Sequence, residues 1–122
     1  MKDITILKHR VIVQEVLDII ESKIQNPPTL GELASLSGLS RTYFSYVFKE
    51  VTGMGLQDYL IQTRLNKAKD LLGDINLEIK EIAHEVGFVD PNHFCRSFKK
   101  MMGISPTNCR LTEIKSPQSR KS

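Results

Sequence analysis

Residues 55–73 read G-L-Q-D-Y-L-I-Q-T-R-L-N-K-A-K-D-L-L-G. Placed on a helix of 3.6 residues per turn, Asp58, Gln62, Asn66, Lys69 and Asp70 share one side. Leu56, Leu60, Ile61, Leu65, Ala68, Leu71 and Leu72 cover the other, over an arc wider than the single stripe of a surface helix. Such an arc predicts a helix packed against two bodies. Gly55 and Gly73 bracket it, and Gly73 suits a left-handed C-terminal cap. At 1.5 Å per residue the segment is a rod of roughly 25 Å. What the rod joins decides the fold.

The 122 residues amount to about one domain, with 40% hydrophobic and 25% charged side chains, a globular composition. No apolar run approaches the roughly 20 residues of a membrane span, and residues 1–10 carry no signal-peptide pattern. Cys95 and Cys109 form no C-x-x-C pair and read as reduced thiols of a cytoplasmic protein. Net charge is +3, unevenly placed: residues 96–122 hold seven basic side chains against Glu113 alone. A basic end on a slightly acidic body points to a polyanionic partner.

On the N-terminal side, residues 1–8 show no clear period and read as a frayed lead-in. Val13, Val16, Leu17, Ile20 and Ile24 then mark an amphipathic helix over residues 9–26, stopped by Pro27-Pro28. Thr29 and Glu32 form a capping box for a short helix to residue 37. Gly38 turns the chain, and Ser40 caps a second helix over residues 41–52 that Gly53 closes. Short helix, tight turn and second helix make a helix-turn-helix outline. Beyond the rod the outline returns: a helix over residues 79–86, a turn at Gly87, and Asp90-Pro91 opening a helix that ends at Gly103. Ser105-Pro106 opens a last short helix, and residues 111–122 are expected to be a disordered basic tail.

The two flanks superpose as a repeat. Glu32-Leu33-Ala34 aligns with Glu81-Ile82-Ala83 at an offset of 49, and Phe44, Phe48-Lys49 and Gly53 align with Phe94, Phe98-Lys99 and Gly103 at 50. One extra residue therefore sits in the second turn. Two copies are too few for a solenoid, so the expectation is two small units docked on the ends of the rod. On helical wheels, Phe44, Val47, Phe48 and Val51 face inward in the first copy, and Phe94, Phe98 and Met101 in the second. Outward lie Thr42, Ser45, Tyr46 and Lys49, and Asn92, Cys95, Arg96 and Lys99.

These residues carry a resemblance. The first unit with Glu32-Leu33-Ala34, Gly38-Leu39-Ser40, Tyr43-Phe44 and Phe48-Lys49, the rod with Arg64-Leu65 and Ala68-x-x-Leu71-Leu72, and the second unit with Val86-Gly87-Phe88, Phe94-x-Arg96-x-Phe98-Lys99 and Gly103-x-Ser105-Pro106 resemble the AraC/XylS family of bacterial transcription regulators. The family usually has tyrosine where Cys109 precedes Arg110. The resemblance implies an all-α fold of about seven helices: a DNA-binding domain over residues 1–110, with helix-turn-helix subdomains at 9–54 and 74–110 and a linker helix at 55–73.

A helix fits the major groove, where each base pair shows a distinct donor and acceptor pattern, and the second helix of the motif enters it. Thr42, Ser45 and Tyr46, with Asn92, Cys95 and Arg96, are the expected base readers. Arg41, Lys49, Lys99, Lys100 and Arg110 are expected on phosphates, with amides at the helix starts near Thr29 and Ile79 adding to them. Grooves on one face of a duplex recur every ~34 Å, so one chain is expected to span two segments of an asymmetric site, bending it or seating one helix loosely. RNA polymerase is the expected further partner, and the isolated domain is expected to be monomeric. The alternative is a helical protein–protein interaction module within a larger signalling protein. No nucleophile with a base, phosphate loop or paired carboxylates stands out, so neither enzyme activity nor a cofactor is expected. His93 and Cys95, two apart on a helix, point to different sides, and no metal site is expected. Arg64 reads as structural. A sensor domain has no room here: the chain is either a stand-alone regulator or the C-terminal piece of a longer one.

Overall fold

The computed structural model describes residues 2–115. Among the described residues there are seven α-helices: α1 (Lys2–Ser22), α2 (Leu30–Leu36), α3 (Arg41–Thr52), α4 (Leu56–Leu71), α5 (Ile79–Glu85), α6 (Pro91–Met102) and α7 (Pro106–Lys115). The chain divides into two units, Met1–Leu60 and Ile61–Ser122, so the boundary falls within α4.

Local chemistry starts and stops these helices. The Thr29 hydroxyl accepts from the Glu32 amide at 3.2 Å, and the Glu32 carboxylate accepts from the Thr29 amide at 2.8 Å. Ser40 Oγ accepts from the Tyr43 amide, and Asp90 Oδ1 from the Asn92 amide. Each cap satisfies a donor that a helix start leaves without a partner. Gly53 and Gly103 close α3 and α6 at φ of 85° and 87°, a left-handed conformation that a β-carbon would strain. The repeat survives in three dimensions: α2 and α5 start 49 residues apart, α3 and α6 50 apart. The extra residue lies in the α5–α6 turn, where Val89 is 98% exposed.

Each unit has its own core. In the first, Val13, Val16, Ile20 and Ile24 meet Leu33, Ala34, Phe44, Val47, Phe48 and Leu60. In the second, Leu65, Ala68 and Leu72 meet Ile82, Ala83, Val86, Phe88, Phe94, Phe98 and Cys109. The wide apolar arc of α4 is thereby explained: Leu56, Tyr59 and Leu60 serve the first core, and its later leucines the second.

Four expectations need correction. The first helix runs from Lys2 to Ser22 rather than over residues 9–26. Its first turns follow no core periodicity because they bury nothing, yet the backbone ladder continues through them. At its other end the chain leaves the helix in turns before the two prolines, with the Asn26 amide bonded to the Lys23 carbonyl. Gly73 is not among the glycines with positive φ, so it forms no left-handed cap. Residues 111–115, expected in the disordered tail, continue α7, which is anchored by buried Pro106 and Cys109. The rest of that tail, residues 116–122, lies outside the described residues. Finally, Val51 and Met101 on the expected inward faces are each 38% exposed, at the edge of their cores, while the next residues, Thr52 and Met102, are partly buried.

Phe98→Ala should cost about 3–5 kcal/mol, since it opens a cavity at a fully buried site. Val89→Ala should change stability by less than about 0.5 kcal/mol. Urea unfolding followed by circular dichroism measures both.

Candidate nucleic-acid interface

The packing of α3 and α6 settles which side chains face out. Phe44 and Phe48 are buried one turn apart, as are Phe94 and Phe98 at the equivalent places. Thr42, Ser45, Tyr46 and Lys49 are then exposed on α3, and Asn92, Arg96, Lys99 and Lys100 on α6. The two faces correspond position by position but differ in chemistry: Thr42 stands where Asn92 does, Ser45 where Cys95 does, and Tyr46 where Arg96 does. Among the described residues no ion pair engages Lys49, Arg96, Lys99 or Lys100, so their charges are available to a partner. Cys95 differs from the other expected readers. It is half-buried and packs against the second core.

Tyr46 has neighbours that the sequence did not reveal. Its ring stacks on Tyr43, with centroids 6.1 Å apart. The Tyr43 hydroxyl shares a hydrogen bond of 3.0 Å with His9 Nε2 of α1. Tyr46 also borders a recess of about 550 Å³ with Thr5, Ile6, His9, Arg10, Glu50 and Val51. The early turns of α1 thus stand beside the exposed face of α3. His9 and Tyr43 were missed because their contact spans 34 residues of sequence.

Two groups of expected phosphate contacts make hydrogen bonds within the chain. Arg110 donates from Nε to the Leu72 carbonyl and from Nη2 to the Asp74 carbonyl, both at 3.1 Å. These carbonyls lie just past the end of α4, where a helix leaves acceptors without partners and favours a cation. The guanidinium therefore ties α7 to the chain that follows α4. At the start of α2 the Glu32 carboxylate takes the Thr29 amide, and at the start of α5 the Glu81 carboxylate takes the Glu78 amide at 2.7 Å. At each of these two starts a carboxylate thus already takes one amide.

Arg41 is exposed at the first position of α3 and lies over Gly31 of α2. A β-carbon at Gly31 would come within 2.8 Å of its Nη2, so the exposed guanidinium would have to shift to admit one. Arg64 is half-buried, with its guanidinium carbon 5.9 Å from the centre of the Phe88 ring, a cation–π contact. Burial lowers its pKa from the ordinary arginine value. Among the described residues no group of three His, Cys, Asp or Glu side chains could hold a metal ion. No described helix is long and apolar enough to cross a membrane.

An all-α chain with two helix-turn-helix units, each showing a polar and partly basic outer face on its second helix, is a DNA-binding module of that class. Comparison with known proteins makes the assignment narrower. A family model described as a helix-turn-helix domain matches residues 33–112. The transcriptional activator AarP of Providencia stuartii is 32% identical over 102 residues, covering 84% of this chain and 76% of its own. The transcriptional regulator YijO of Escherichia coli is 35% identical over 106 residues, covering 87% of this chain and 38% of its own. An AraC-type transcriptional regulator from Chromobacterium violaceum superposes with a TM-score of 0.78 at 26% identity, covering 84% of this chain and 91% of that one. The chain belongs to the AraC/XylS family of transcription regulators, whose family and fold are those of DNA-binding regulators. It spans little more than a third of YijO and of the Msm operon regulatory protein of Streptococcus mutans, 38% and 36%.

Arg110→Ala should lower stability by about 1–3 kcal/mol through loss of two charge-assisted hydrogen bonds. The salt dependence of DNA binding should stay as it is, whereas losing a phosphate contact would reduce the slope by about one. Denaturant unfolding and a salt titration of binding read the two quantities separately.

Proposed function

We propose that the chain regulates transcription by seating α3 and α6 in successive major-groove segments of one asymmetric DNA site. The observation that carries this reading is the correspondence of the two outer faces. Apart from half-buried Cys95, equivalent positions are held outward by buried phenylalanines at matching places in the two helices, yet they bear unlike donors and acceptors. Two unlike readers on one chain fit a site without two-fold symmetry.

Arg96 is the strongest reader, since a guanidinium can bond O6 and N7 of guanine together, and Asn92 can do the same at adenine. Tyr46 and the methyl group of Thr42 suit a thymine methyl, and Ser45 accepts or donates at either edge. Cys95 reads at most from the rim of the contact. Lys49, Lys99, Lys100 and Arg41 hold phosphates and place the two helices without selecting sequence. One chain suffices for one site, so the free domain is monomeric at low concentration. It acts in the cytoplasm, where bacterial DNA and RNA polymerase lie, and polymerase is its further partner. Its role is binding, with no catalysis of its own.

Selection from a random DNA pool should return an asymmetric site with two conserved blocks. Arg96→Ala should then relax preference at one base pair by about 1–3 kcal/mol. Lys99→Ala should weaken all sequences alike and lower the salt slope by about one. Recovery of a strict palindrome, or affinity insensitive to salt, would sink the proposal.

A further inference from the structure

Six apolar side chains of α1 fall into two opposed sets. Val13, Val16 and Ile20 are buried in the first core. Ile4, Leu7 and Val11 lie on the opposite side of the helix and are 55%, 60% and 57% exposed. Isolated exposed apolar residues are ordinary. Three in a row at i, i+3 and i+7 are a seam, with the spacing of a two-stranded coiled coil.

The residue types along the seam are those of one particular pairing. Ile4 and Val11 take the a positions and Leu7 the d position. A β-branched side chain at a with leucine at d favours two parallel helices. Beside the seam, Asp3 and Arg10 occupy g positions, and Lys8 and Glu15 occupy e positions; all four are exposed. In a parallel pair each g residue faces the following e residue of the other helix. Asp3 then meets Lys8 and Arg10 meets Glu15, each twice by symmetry, and every pair has opposite charge. An antiparallel pair that sets Leu7 against Val11 brings Lys8 against Lys8 and Arg10 against Arg10. The seam ends where Gln14 donates to Asp18 within its own helix at 3.1 Å, at the next d and a positions.

We propose that this face of α1 is a docking surface for a second copy of the chain, the two α1 helices lying parallel and in register. Three apolar layers bury far less than the ~1,200–2,000 Å² of a stable interface. The pairing is therefore weak between free chains and acts where two copies are already held close together, as on neighbouring DNA sites. It leaves the core face of α1 in place and uses none of the base-reading residues.

Sedimentation equilibrium of the full chain without DNA tests this, and its outcome is separate from that of the DNA-binding reading. Between about 10 µM and about 1 mM a reversible monomer–dimer equilibrium is expected, in the range of small, weak interfaces. Leu7→Lys should weaken it by about tenfold or more, because two ammonium groups then meet in the seam. Asp3→Lys alone should weaken it, and Asp3→Lys combined with Lys8→Asp should restore it. Thermal melts of these variants at low concentration should match the original chain, since the altered side chains are exposed. A monomer mass at every concentration overturns the proposal. So does a dimer indifferent to Leu7→Lys, as would occur if another face self-associates, or a double variant no better than the single one.

Discussion

Two phenylalanines one turn apart, driven out of water on the inner side of a twelve-residue helix, are the constraint from which the rest of each unit follows. Once Phe44 and Phe48 are buried, the rotation of α3 is settled, and so is the identity of every side chain that looks outward. Phe94 and Phe98 do the same for α6. Burying such a ring is worth roughly 1.5–3 kcal/mol, while turning it outward would also bring a polar residue into a site with no partner for it. Recognition chemistry on the opposite face can therefore change freely. The two units show this, with one bearing Thr42, Ser45 and Tyr46 and the other Asn92, Cys95 and Arg96 over nearly the same inner surface.

The repeated part of each core is incomplete by itself and is closed by a different neighbour. In the first unit α1 supplies Val13, Val16 and Ile20, and the turn after it supplies Ile24. In the second, the chain beyond α6 supplies Cys109 from a helix held by Arg110 on the carbonyls after α4. Cysteine at a place where the family usually has tyrosine is accommodated as a small buried apolar group. The helix α4 meets both demands because its apolar arc is wide enough to give leucines to each core.

The helix α1 shows how one element can serve two purposes. Its C-terminal turns are core, and its first turns are exposed all round apart from half-buried His9, which meets Tyr43. The recess beside Tyr46 means that the early turns of α1 help to shape the surroundings of an exposed recognition residue. The His9–Tyr43 hydrogen bond and the Tyr43–Tyr46 stack join α1 to the exposed face of α3.

Much of this was legible in the amino-acid order because it is local or periodic. Helix starts at Thr29, Ser40 and Asp90, left-handed ends at Gly53 and Gly103, the buried phenylalanines and the repeat all depend on residues within a few turns of one another. What failed to show was long-range. A guanidinium that meets carbonyls 36 and 38 residues away, as Arg110 does, has no local mark that separates it from a phosphate-binding arginine. The contact of His9 with Tyr43 and the half-burial of Cys95 are likewise set by which helices come together. Residues 1–8 lacked core periodicity and so looked unstructured, although a helix can continue beyond the body it packs on. Sequence alone thus determined the elements, the repeat and the outward faces, since hydrophobic spacing and capping act at short range. Tertiary structure alone decided which polar groups are spent on the fold and which are left for a partner, because that depends on the chain's distant encounters with itself.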